Sequence, residues 1–597
     1  MSKSRPTAAV PAHHESRASR REESTPPSGY ASRETTESVA LAVILAFLFR
    51  AFVAEAFVIP TGSMAPTLMG QHKDVQCPEC GYWYQAGASL EDGATAQQRG
   101  ETPRIVVATT CPLCHYRLIL DLRNNANQAT FSGDRILVSK FVYDFAPPER
   151  WDVIVFKYPF DAKQNYIKRL VGLPNEQIRI SRGDVFIKGP EADTYAIARK
   201  PDHKLKSMLQ VVDDTRHISR RLTAIGWPLR WQPWAAGVPD VTDAWSTSDD
   251  GHTYDTEAVA GQDIWLRYRH IVASDDDWKL IEDGQQPPMV SDRRSELITD
   301  VYAYNSFTSI SPTFLSGAGP KRRPEDYADA RFAGETLGLY WVSDLALEGD
   351  VEVKGDSGEL LLLLVKGGTT YTCRIDVATG AATLAVDGDD GGKGAFVGSD
   401  GTRADTPVGQ TAIQGRGTYR VRFSNVDAEI RLWVNERRVT FNGPTTYAPR
   451  DTLRPVTSEL DPGDLAPAGI GTRDVALHIQ RLRVLRDVYY VATRAGNVPE
   501  YTVPYGHRKI KEILRSPERW PETDLFDMQA EMQITMEAGQ LFPLGDNSPQ
   551  SSDGRMWEQH YVDQDLLIGK ALLIYWPHPW YRPIPYLPNF KRMRLIH

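Results

Sequence analysis

Two short motifs place a serine and a lysine in settings that could support covalent chemistry. Ser63 lies in the turn-rich stretch PTGSMAPTL, residues 60–68, and Lys168 lies in the largely apolar stretch YIKRLVGLPNEQIRI, residues 166–180. Burial lowers the pKa of a lysine amine, and a neutral amine can take the proton of a serine hydroxyl that attacks a carbonyl. Taken alone, the first motif favours an ordinary turn serine, and the second favours a surface lysine whose stem packs along a sheet.

A third motif, LGDNSPQSSDGRMW at residues 544–557, is dense in turn formers and hydroxyl groups. By itself it is typical of a surface loop held by Asx-type turns. The stretch around Ser63 has no GxSxG elbow, and no histidine or aspartate stands in a motif that indicates a catalytic triad. These motifs therefore do not predict a serine–histidine–aspartate enzyme.

In this order, behind one apolar N-terminal segment, the motifs resemble those of the type I signal peptidase family. FVIPTGSMAPTL resembles the family's serine box, YIKRLVGLP its lysine box and GDNSPQSSDGR its final box, while GDRILVSKF at residues 133–141 resembles its second motif strand. The resemblance covers residues 36–76, 131–190 and 540–580, a minority of the 597 residues. In the final box, Ser548, Pro549, Gln550 and Gly554 depart from the commonest pattern.

The resemblance implies a membrane-bound serine endopeptidase that removes signal peptides from exported precursors, cutting after small residues at −3 and −1. Ser63 would attack the scissile carbonyl, and Lys168 would take its proton and pass it to the leaving amine. The Ser63 N–H and the Thr61 hydroxyl would form the oxyanion hole, and Ser551 would orient the Lys168 amine. Asp553 and Arg555 would form a structural ion pair near the site, with Arg169 close by. The shallow apolar pockets for small side chains would be lined by Phe57, Ile59, Pro60 and Ile167. The family's chemistry needs no cofactor.

One apolar stretch, Val39–Ile59, has about the length needed to cross the hydrocarbon core of a bilayer. We expect a transmembrane helix over residues 36–59, although Arg50 and Glu55 interrupt its second half. A cleaved signal peptide is the alternative, but the apolar run starts late and no small-x-small site follows before the serine motif. Residues 1–35 are rich in Ser, Arg, Pro, Glu and Ala without apolar periodicity, which predicts a disordered tail. Because basic residues precede the helix, we expect this tail in the cytoplasm and an extracytoplasmic catalytic domain at the cell membrane.

Two Cys-x-x-Cys pairs, CPEC at 77–80 and CPLC at 111–114, stand 30 residues apart. Two such pairs at this spacing suit a tetrahedral thiolate zinc site of the ribbon type. We expect a zinc-ribbon-like insertion over 71–125 whose ligands are Cys77, Cys80, Cys111 and Cys114. Two disulfides are the alternative, because an extracytoplasmic location permits them, and His115 is an alternative ligand.

Residues 191–499 contain many short strand-like stretches separated by Gly/Asp turns, which predicts an inserted antiparallel β-sandwich. Its pattern resembles laminin-G/concanavalin jelly rolls, and a carbohydrate or protein ligand and a purely structural insertion both remain open. Cys373 is predicted to be a buried core thiol. The peptidase domain would then consist of residues 60–70, 126–190 and 500–597, giving a mainly β protein.

The balance of charges limits the classes of partner. The formal net charge is -9, and no basic stripe with interleaved aromatic residues is present, so a general nucleic-acid binder is not expected. The expected partners are secretory precursors and the lipid bilayer.

The rival hypothesis is a non-catalytic anchored binding protein that displays the ribbon and a lectin-like sandwich. A third hypothesis, a peptidase dedicated to a few precursors that the sandwich selects, is compatible with the signal peptidase hypothesis.

Overall fold

The computed structural model of the protein describes most of the chain in two units, residues 1–54 and 55–597. The described residues are 30–48, 53–98, 100–234, 244–288, 290, 294–315, 326–332, 337–388, 392–450, 452–493, 500–501, 505–580 and 587–596. Mainly β structure was predicted, and this is confirmed by the sheets described below.

The first unit contains the helix Tyr30–Leu48. The tail predicted over 1–35 is therefore wrong over its last residues, while residues 1–29 lie outside the described part of the chain. Large apolar side chains of this helix are exposed; Val39, Leu41 and Phe47 are 58%, 58% and 66% accessible. Across the described residues, no helix combines the length and apolarity needed to cross a membrane.

The predicted transmembrane helix over 36–59 is wrong at its C-terminal end. Ala54–Val58 forms a β-strand that lies beside the strand Arg135–Ser139 at the edge of a sheet. Glu55, one of the charges that interrupt the apolar run, pairs with Lys140 at 3.5 Å. The strand can form because its residues alternate between more and less buried positions, a pattern that a short apolar run conceals. Residues 49–52 lie outside the described residues.

The main sheet of the second unit joins strands from distant parts of the chain. Its order is Ala54–Val58, Arg135–Ser139, Leu567–Trp576, Val153–Tyr158, Asp161–Gly172, Gln540–Leu544 and Val562–Asp563, with Arg594–Leu595 paired to Leu567–Trp576. From Arg135–Ser139 to Gln540–Leu544, neighbouring strands of this sheet are antiparallel. A small sheet beside it has the order Ala196–Ile197, Asp184–Lys188, Gln177–Ser181 and Met532–Thr535. Both sheets thus combine segments from before and after a long central region, residues 210–486.

The central region contains the predicted antiparallel β-sandwich, which is confirmed. One sheet has the order Ser246–Thr247, Tyr254–Thr256, Leu477–Arg486, Leu345–Val353, Gly417–Val426, Glu429–Val434 and Arg437–Arg438, with Gln210–Asp214 paired to Leu477–Arg486. The other has the order Trp231–Trp234, Ile264–Tyr268, Ala468–Arg473, Glu359–Lys366, Thr369–Asp376, Ala381–Asp387 and Val408–Gln410. Alternating side chains of both sheets fill one apolar core, which includes Cys373.

Two further hairpins carry the cysteine pairs. The first pairs His72–Gln76 with Trp83–Gly87, and the second pairs Ile105–Thr110 with Arg117–Ile119. Strand Phe307–Ile310 of the central region joins the second hairpin, and Arg331–Phe332 follows it. The hairpins share an apolar core with Leu222, Trp227, Ile271, Trp278 and Ile281. The cysteine-bearing segment is therefore packed against the central region and is not an isolated module.

The remaining described elements are short. The helices are Gly93–Gln98, Val142–Phe145, Asp202–Met208, Arg220–Ala224, Asp275–Glu282, Pro312–Leu315 and His507–Leu514. Two more strand pairs are Phe396–Val397 with Arg403–Ala404 and Pro579–Trp580 with Leu587–Pro588.

Candidate active site

The predicted serine and lysine meet beside an interior strand of the main sheet. Lys168 lies in the strand Asp161–Gly172, and Ser63 lies in the single 3₁₀ turn Gly62–Met64. The Lys168 amine donates to Ser63 Oγ at 2.9 Å and lies 3.1 Å from the carbonyl oxygen of Ile167. A hydroxyl within hydrogen-bond distance of an amine is the arrangement that proton transfer from a nucleophile requires.

The surroundings of Lys168 favour the neutral amine. Lys168 is buried, with 2% of its surface accessible, whereas Ser63 is half-buried. Desolvation by burial lowers the pKa of Lys168 from 10.5 to about 8; the Asp553 and Asp546 carboxylates oppose this change and Arg555 reinforces it. At neutral pH an appreciable fraction of the amine is therefore ready to accept a proton.

The rate of any reaction that uses Lys168 as a base should follow this pKa. Since the neutral amine is the active form, kcat/KM should rise about tenfold per pH unit below pH 8 and level off above it. Steady-state cleavage of a precursor peptide between pH 6 and pH 10 checks this. A profile that is flat or falling over this range would contradict the role of Lys168.

The third motif holds the serine turn from the other side. The backbone N–H of Asn547 donates to the carbonyl of Ser63 at 3.1 Å, and its side-chain Nδ2 donates to the carbonyl of Gly62 at 3.0 Å. Gly545 lies so close that a Cβ atom there would sit 2.5 Å from the carbonyl oxygen of Ser63. The turn that carries the nucleophile is thus fixed by the segment Gly545–Asn547.

A fully buried ion pair joins the lysine strand to the same segment. The Arg169 guanidinium donates to both carboxylate oxygens of Asp546, each at 2.7 Å, and neither side chain is accessible to solvent. The Thr67 hydroxyl also donates to Asp546. Because paired planar groups fix each other's orientation, this contact sets the position of the third motif relative to Lys168.

Breaking that pair should destabilise the protein. Asp546→Asn leaves the Arg169 charge buried without its partner, which we expect to cost about 3–5 kcal/mol of unfolding free energy. The matched control is Asp356→Asn, because the pair of Asp356 with Arg416 is exposed, at 74% and 67% accessible side-chain surface, and should change the unfolding free energy by under about 1 kcal/mol. Urea denaturation of both variants measures the difference; equal effects would contradict the structural role.

Asp553 and Arg555 form the ion pair that the sequence predicts. Arg555 Nη2 contacts Asp553 Oδ2 at 2.8 Å, and both side chains are buried. Asp553 also accepts from the backbone N–H of Gly545 at 2.9 Å. Arg555 donates to the Ser548 hydroxyl and carbonyl, both at 2.8 Å. Ser548, one of the departures in the final box, therefore takes part in anchoring this loop.

Ser551 is not brought into a hydrogen bond with the lysine. Its Oγ is buried and has no hydrogen-bond partner among the described residues. It lies against Gly545, where a Cβ atom would be 2.1 Å from Ser551 Oγ. Ser551 is thus beside the serine turn, but the Lys168 amine is oriented in this structure by Ser63 and the carbonyl of Ile167.

The two predicted oxyanion donors lie close together in the chain, at the start of the 3₁₀ turn Gly62–Met64. Thr61 is half-buried and precedes the 3₁₀ turn, and its hydroxyl makes no capping hydrogen bond there. Ser63 is the second residue of the turn, where a backbone N–H has no partner inside the helix. Their role in binding a negatively charged oxygen stays a prediction.

An apolar cluster lies next to the serine turn and includes its residue Met64. Ile59 is buried at 3% accessibility, and the partly exposed Phe57 and Ile167 pack against the same cluster. Pro60 is exposed. Phe57, Ile59 and Ile167 thus belong to the cluster that includes Met64 of the serine turn, and their role in lining substrate pockets, with Pro60, stays a prediction.

The four paired cysteines converge at a separate point. Cys77 Sγ lies 3.5 Å from Cys114 Sγ, and Cys80 Sγ lies 3.6 Å from Cys111 Sγ, with all four sulfurs within 4.8 Å of one another. No disulfide joins them, so the alternative of two disulfides does not describe this structure. Sulfurs bound tetrahedrally to zinc at about 2.3 Å would lie about 3.8 Å apart, which these distances approach. His115 is not in this group.

The two cysteine turns have the same local geometry. Gly81 donates to the carbonyl of Cys77 at 2.9 Å, and His115 donates to that of Cys111 at 3.0 Å. Both Gly81 and His115 have positive φ, at 72° and 59°. This repeated turn aims two sulfurs from each hairpin at one point, and the cluster could hold a metal ion.

Some residues of the site were missed by sequence reasoning. Asp546 and Asn547 lie inside the quoted third motif but were given no role, although a motif dense in hydrogen-bonding residues was the available signal. Asn305, which bonds to Asn547, gave no signal, because it lies 242 residues away in an unremarkable stretch.

Comparison with known proteins finds similarity to signal peptidases. The family model described as signal peptidase, peptidase S26, matches residues 104–225 and 490–576, which include Lys168 and the third motif but not Ser63. The probable signal peptidase I-2 of Synechocystis is 26% identical over 202 residues, which are 33% of this chain and 62% of that protein. Signal peptidase I of Pseudomonas aeruginosa is 42% identical over 82 residues, which are 12% and 29% of the two chains. The chain spans at most 62% of the length of these relatives.

Solved structures are similar to part of the chain. A galectin of Caenorhabditis elegans, LEC-6, is 11% identical with a TM-score of 0.17, covering 24% of this chain and 83% of that one. A carbohydrate-binding module of Bacillus subtilis, CBM66, is 12% identical with a TM-score of 0.16, covering 23% and 72%. Residues 104–225 and 490–576 of this chain are thus similar in sequence to the signal peptidase family, peptidase S26.

Proposed function

We propose that this protein is a serine endopeptidase of the type I signal peptidase kind that removes signal peptides from exported precursors. The observation that carries the proposal is the 2.9 Å hydrogen bond from the buried Lys168 amine to the Ser63 hydroxyl. A lysine buried beside a hydroxyl, with its pKa lowered to about 8, suits a general base and serves no evident structural purpose.

The proposed reaction proceeds in two stages. As Ser63 Oγ attacks the scissile carbonyl, neutral Lys168 takes the hydroxyl proton, and it then gives that proton to the departing amine when the C–N bond breaks. In the second stage, Lys168 takes a proton from the water that attacks the ester carbonyl and gives it to Ser63 Oγ as the ester C–O bond breaks, which releases the carboxyl group and restores the Ser63 hydroxyl. The Ser63 N–H and the Thr61 hydroxyl would stabilise the carbonyl oxygen while it carries negative charge.

The proposed specificity is for small residues at −1 and −3. It is supported by the resemblance to the family and by the partly covered apolar side chains of Phe57 and Ile167 next to the serine turn. Shallow pockets of this kind bind a methyl group but leave little room for a larger side chain, which can alter affinity by about 1–3 kcal/mol.

Cleavage of a panel of precursors tests the proposal. Wild-type protein should cut each precursor once, after an Ala-x-Ala-like sequence located by N-terminal sequencing, and Ser63→Ala should leave every precursor intact. Cleavage by Ser63→Ala at the wild-type rate would exclude Ser63 as the nucleophile, and a wild-type protein that cuts no precursor would favour the anchored binding protein instead.

Anchorage at the cell membrane, with a cytoplasmic N-terminus and an extracytoplasmic site, is part of the proposal. Its support is the apolar sequence around the helix Tyr30–Leu48, whose large apolar side chains are exposed, together with the basic residues that precede it. Sedimentation of the full-length protein with vesicles tests the anchorage, and recovery in the supernatant would contradict it.

We propose that the four clustered cysteines hold a structural zinc ion. Their number, burial and spacing fit a closed thiolate site without a position for a reacting group. Such an ion would fix the two hairpins and take no part in catalysis. The domain boundaries given by the sequence, and a carbohydrate or protein ligand for the sandwich, are likewise proposals.

A further inference from the structure

A short segment of the central region lies directly on the serine turn. The 3₁₀ turn Ala303–Asn305 places the ring of Tyr304 against Gly62, where a Cβ atom would be 2.0 Å from a ring carbon. The Tyr304 hydroxyl donates to the carbonyl of Gln71 at 3.0 Å, and the ring is buried with Ala65 and Met69. The residue before the nucleophile must therefore be glycine for Tyr304 to pack there.

The next residue of this segment, Asn305, is paired with Asn547. Asn305 Nδ2 donates to Asn547 Oδ1 at 2.7 Å, and Asn547 Nδ2 donates to Asn305 Oδ1 at 2.9 Å. Both side chains are buried at 3% accessibility. The second N–H of Asn547 Nδ2 is free to bond Gly62, which it does at 3.0 Å. Asn305 thus fixes the plane of the amide that grips the turn carrying the nucleophile.

We propose that Asn305 is a positioning residue of the serine–lysine site, so that the central region completes the peptidase site. This inference rests on the proposed function. Asn305 acts through Asn547, whose two donors hold the carbonyls of Gly62 and Ser63 and with them the position of the Ser63 hydroxyl against Lys168. A reacting pair that loses its alignment loses rate rather than affinity for its substrate.

Two substitutions at Asn305 test the proposal. Asn305→Leu keeps a similar volume without hydrogen bonds, and Asn305→Ala removes both. Each should lower kcat by about 10- to 100-fold while KM changes by less than about threefold. The rate at which a fluorophosphonate probe labels Ser63 should fall in parallel, which is a readout that does not depend on a precursor. Asn305→Ala and Asn547→Ala combined should lower kcat by less than the product of their separate effects, because the two side chains form one contact.

Matched variants separate positioning from general stability. Asn425→Leu replaces an equally buried asparagine of the sandwich, whose side chain accepts from the Tyr447 hydroxyl, and should keep kcat and the labelling rate despite any fall in melting temperature. Tyr304→Phe removes the hydroxyl alone and serves if the Asn305 variants do not fold; it should lower kcat by roughly threefold to tenfold.

The outcomes distinguish this inference from the proposed function. If folded Asn305 variants, or Tyr304→Phe when those do not fold, cleave and label at the wild-type rate while Ser63→Ala is inactive, the inference is overturned and the proposed function stands. An equal loss of kcat in Asn425→Leu would also overturn it. If the wild-type protein neither cleaves precursors nor is labelled at Ser63, both fail together.

Discussion

Replacing Lys168 with methionine is expected to lower kcat for precursor cleavage by about 10³- to 10⁴-fold and to leave the protein folded. Methionine fills nearly the same space as the lysine stem but has no amine to accept the Ser63 proton. Because Lys168 is buried at 2% accessibility and carries a penalty for desolvation, losing its charge should not destabilise the fold. Cleavage kinetics and the melting temperature of the same preparation measure both effects.

The matched control is Lys204→Met. Lys204 is also buried, at 6% accessibility, but its amine lies 3.3 Å from Asp152 rather than near Ser63. This variant should keep its kcat even if its stability falls, because it takes away an ion pair and no reacting group. Wild-type turnover by Lys168→Met would show that another group activates the serine.

The second large effect is expected from the cysteine cluster. Cys111→Ser should reduce bound zinc from one equivalent to a small fraction and loosen both hairpins, since structural zinc sites contribute on the order of 10 kcal/mol to the folding of small domains. Trp278 reports this loosening, because its indole N–H donates to the carbonyl of Cys114 at 2.9 Å. Elemental analysis measures the metal, and limited proteolysis maps new cleavage to the hairpins and the core they share with the central region.

Cys373→Ala is the control for the loss of a cysteine. Cys373 is buried in the sandwich core with no sulfur partner, so this variant should keep the full zinc content and an intact ribbon. Wild-type protein that contains no zinc and in which thiol titration under denaturing conditions finds one free thiol, that of Cys373, would contradict the zinc proposal. Whether the loss of zinc also disturbs the pair of Ser63 and Lys168 is judged separately, by measuring kcat.

The sequence predicts those parts of the molecule whose patterns are local. The stretch GELLLLLV forms the strand Glu359–Lys366, a short and continuously buried apolar run, and TYTCRIDV lies in the strand Thr369–Asp376, where buried and less buried residues alternate. The stretch HRKIKEILRS forms the helix His507–Leu514, whose buried residues Ile510, Ile513 and Leu514 recur at helical spacing. The meeting of Ser63 and Lys168 was also predicted, although from the resemblance of ordered motifs and not from either residue alone.

Other features depend on contacts between distant residues and could not be read in this way. The apolar run after Leu48 includes the strand Ala54–Val58, whose partner strand Arg135–Ser139 lies some 80 residues further on. The pairing of Asn305 with Asn547 spans 242 residues and has no local signature. The position of Ser551, which does not reach the Lys168 amine, is set by the close approach of Gly545. In each case the packing of separate segments decides the outcome.

Mapping a covalent adduct tests most directly whether Ser63 is a nucleophile activated by Lys168. A peptide with a small residue before an acylating group is incubated with the wild-type protein, and the modified residue is located by mass spectrometry. We expect one adduct, on Ser63, formed more than about 10³-fold more slowly by Lys168→Met and not at all by Ser63→Ala. An adduct on another residue, or labelling of Ser63 at the same rate without Lys168, would contradict the account.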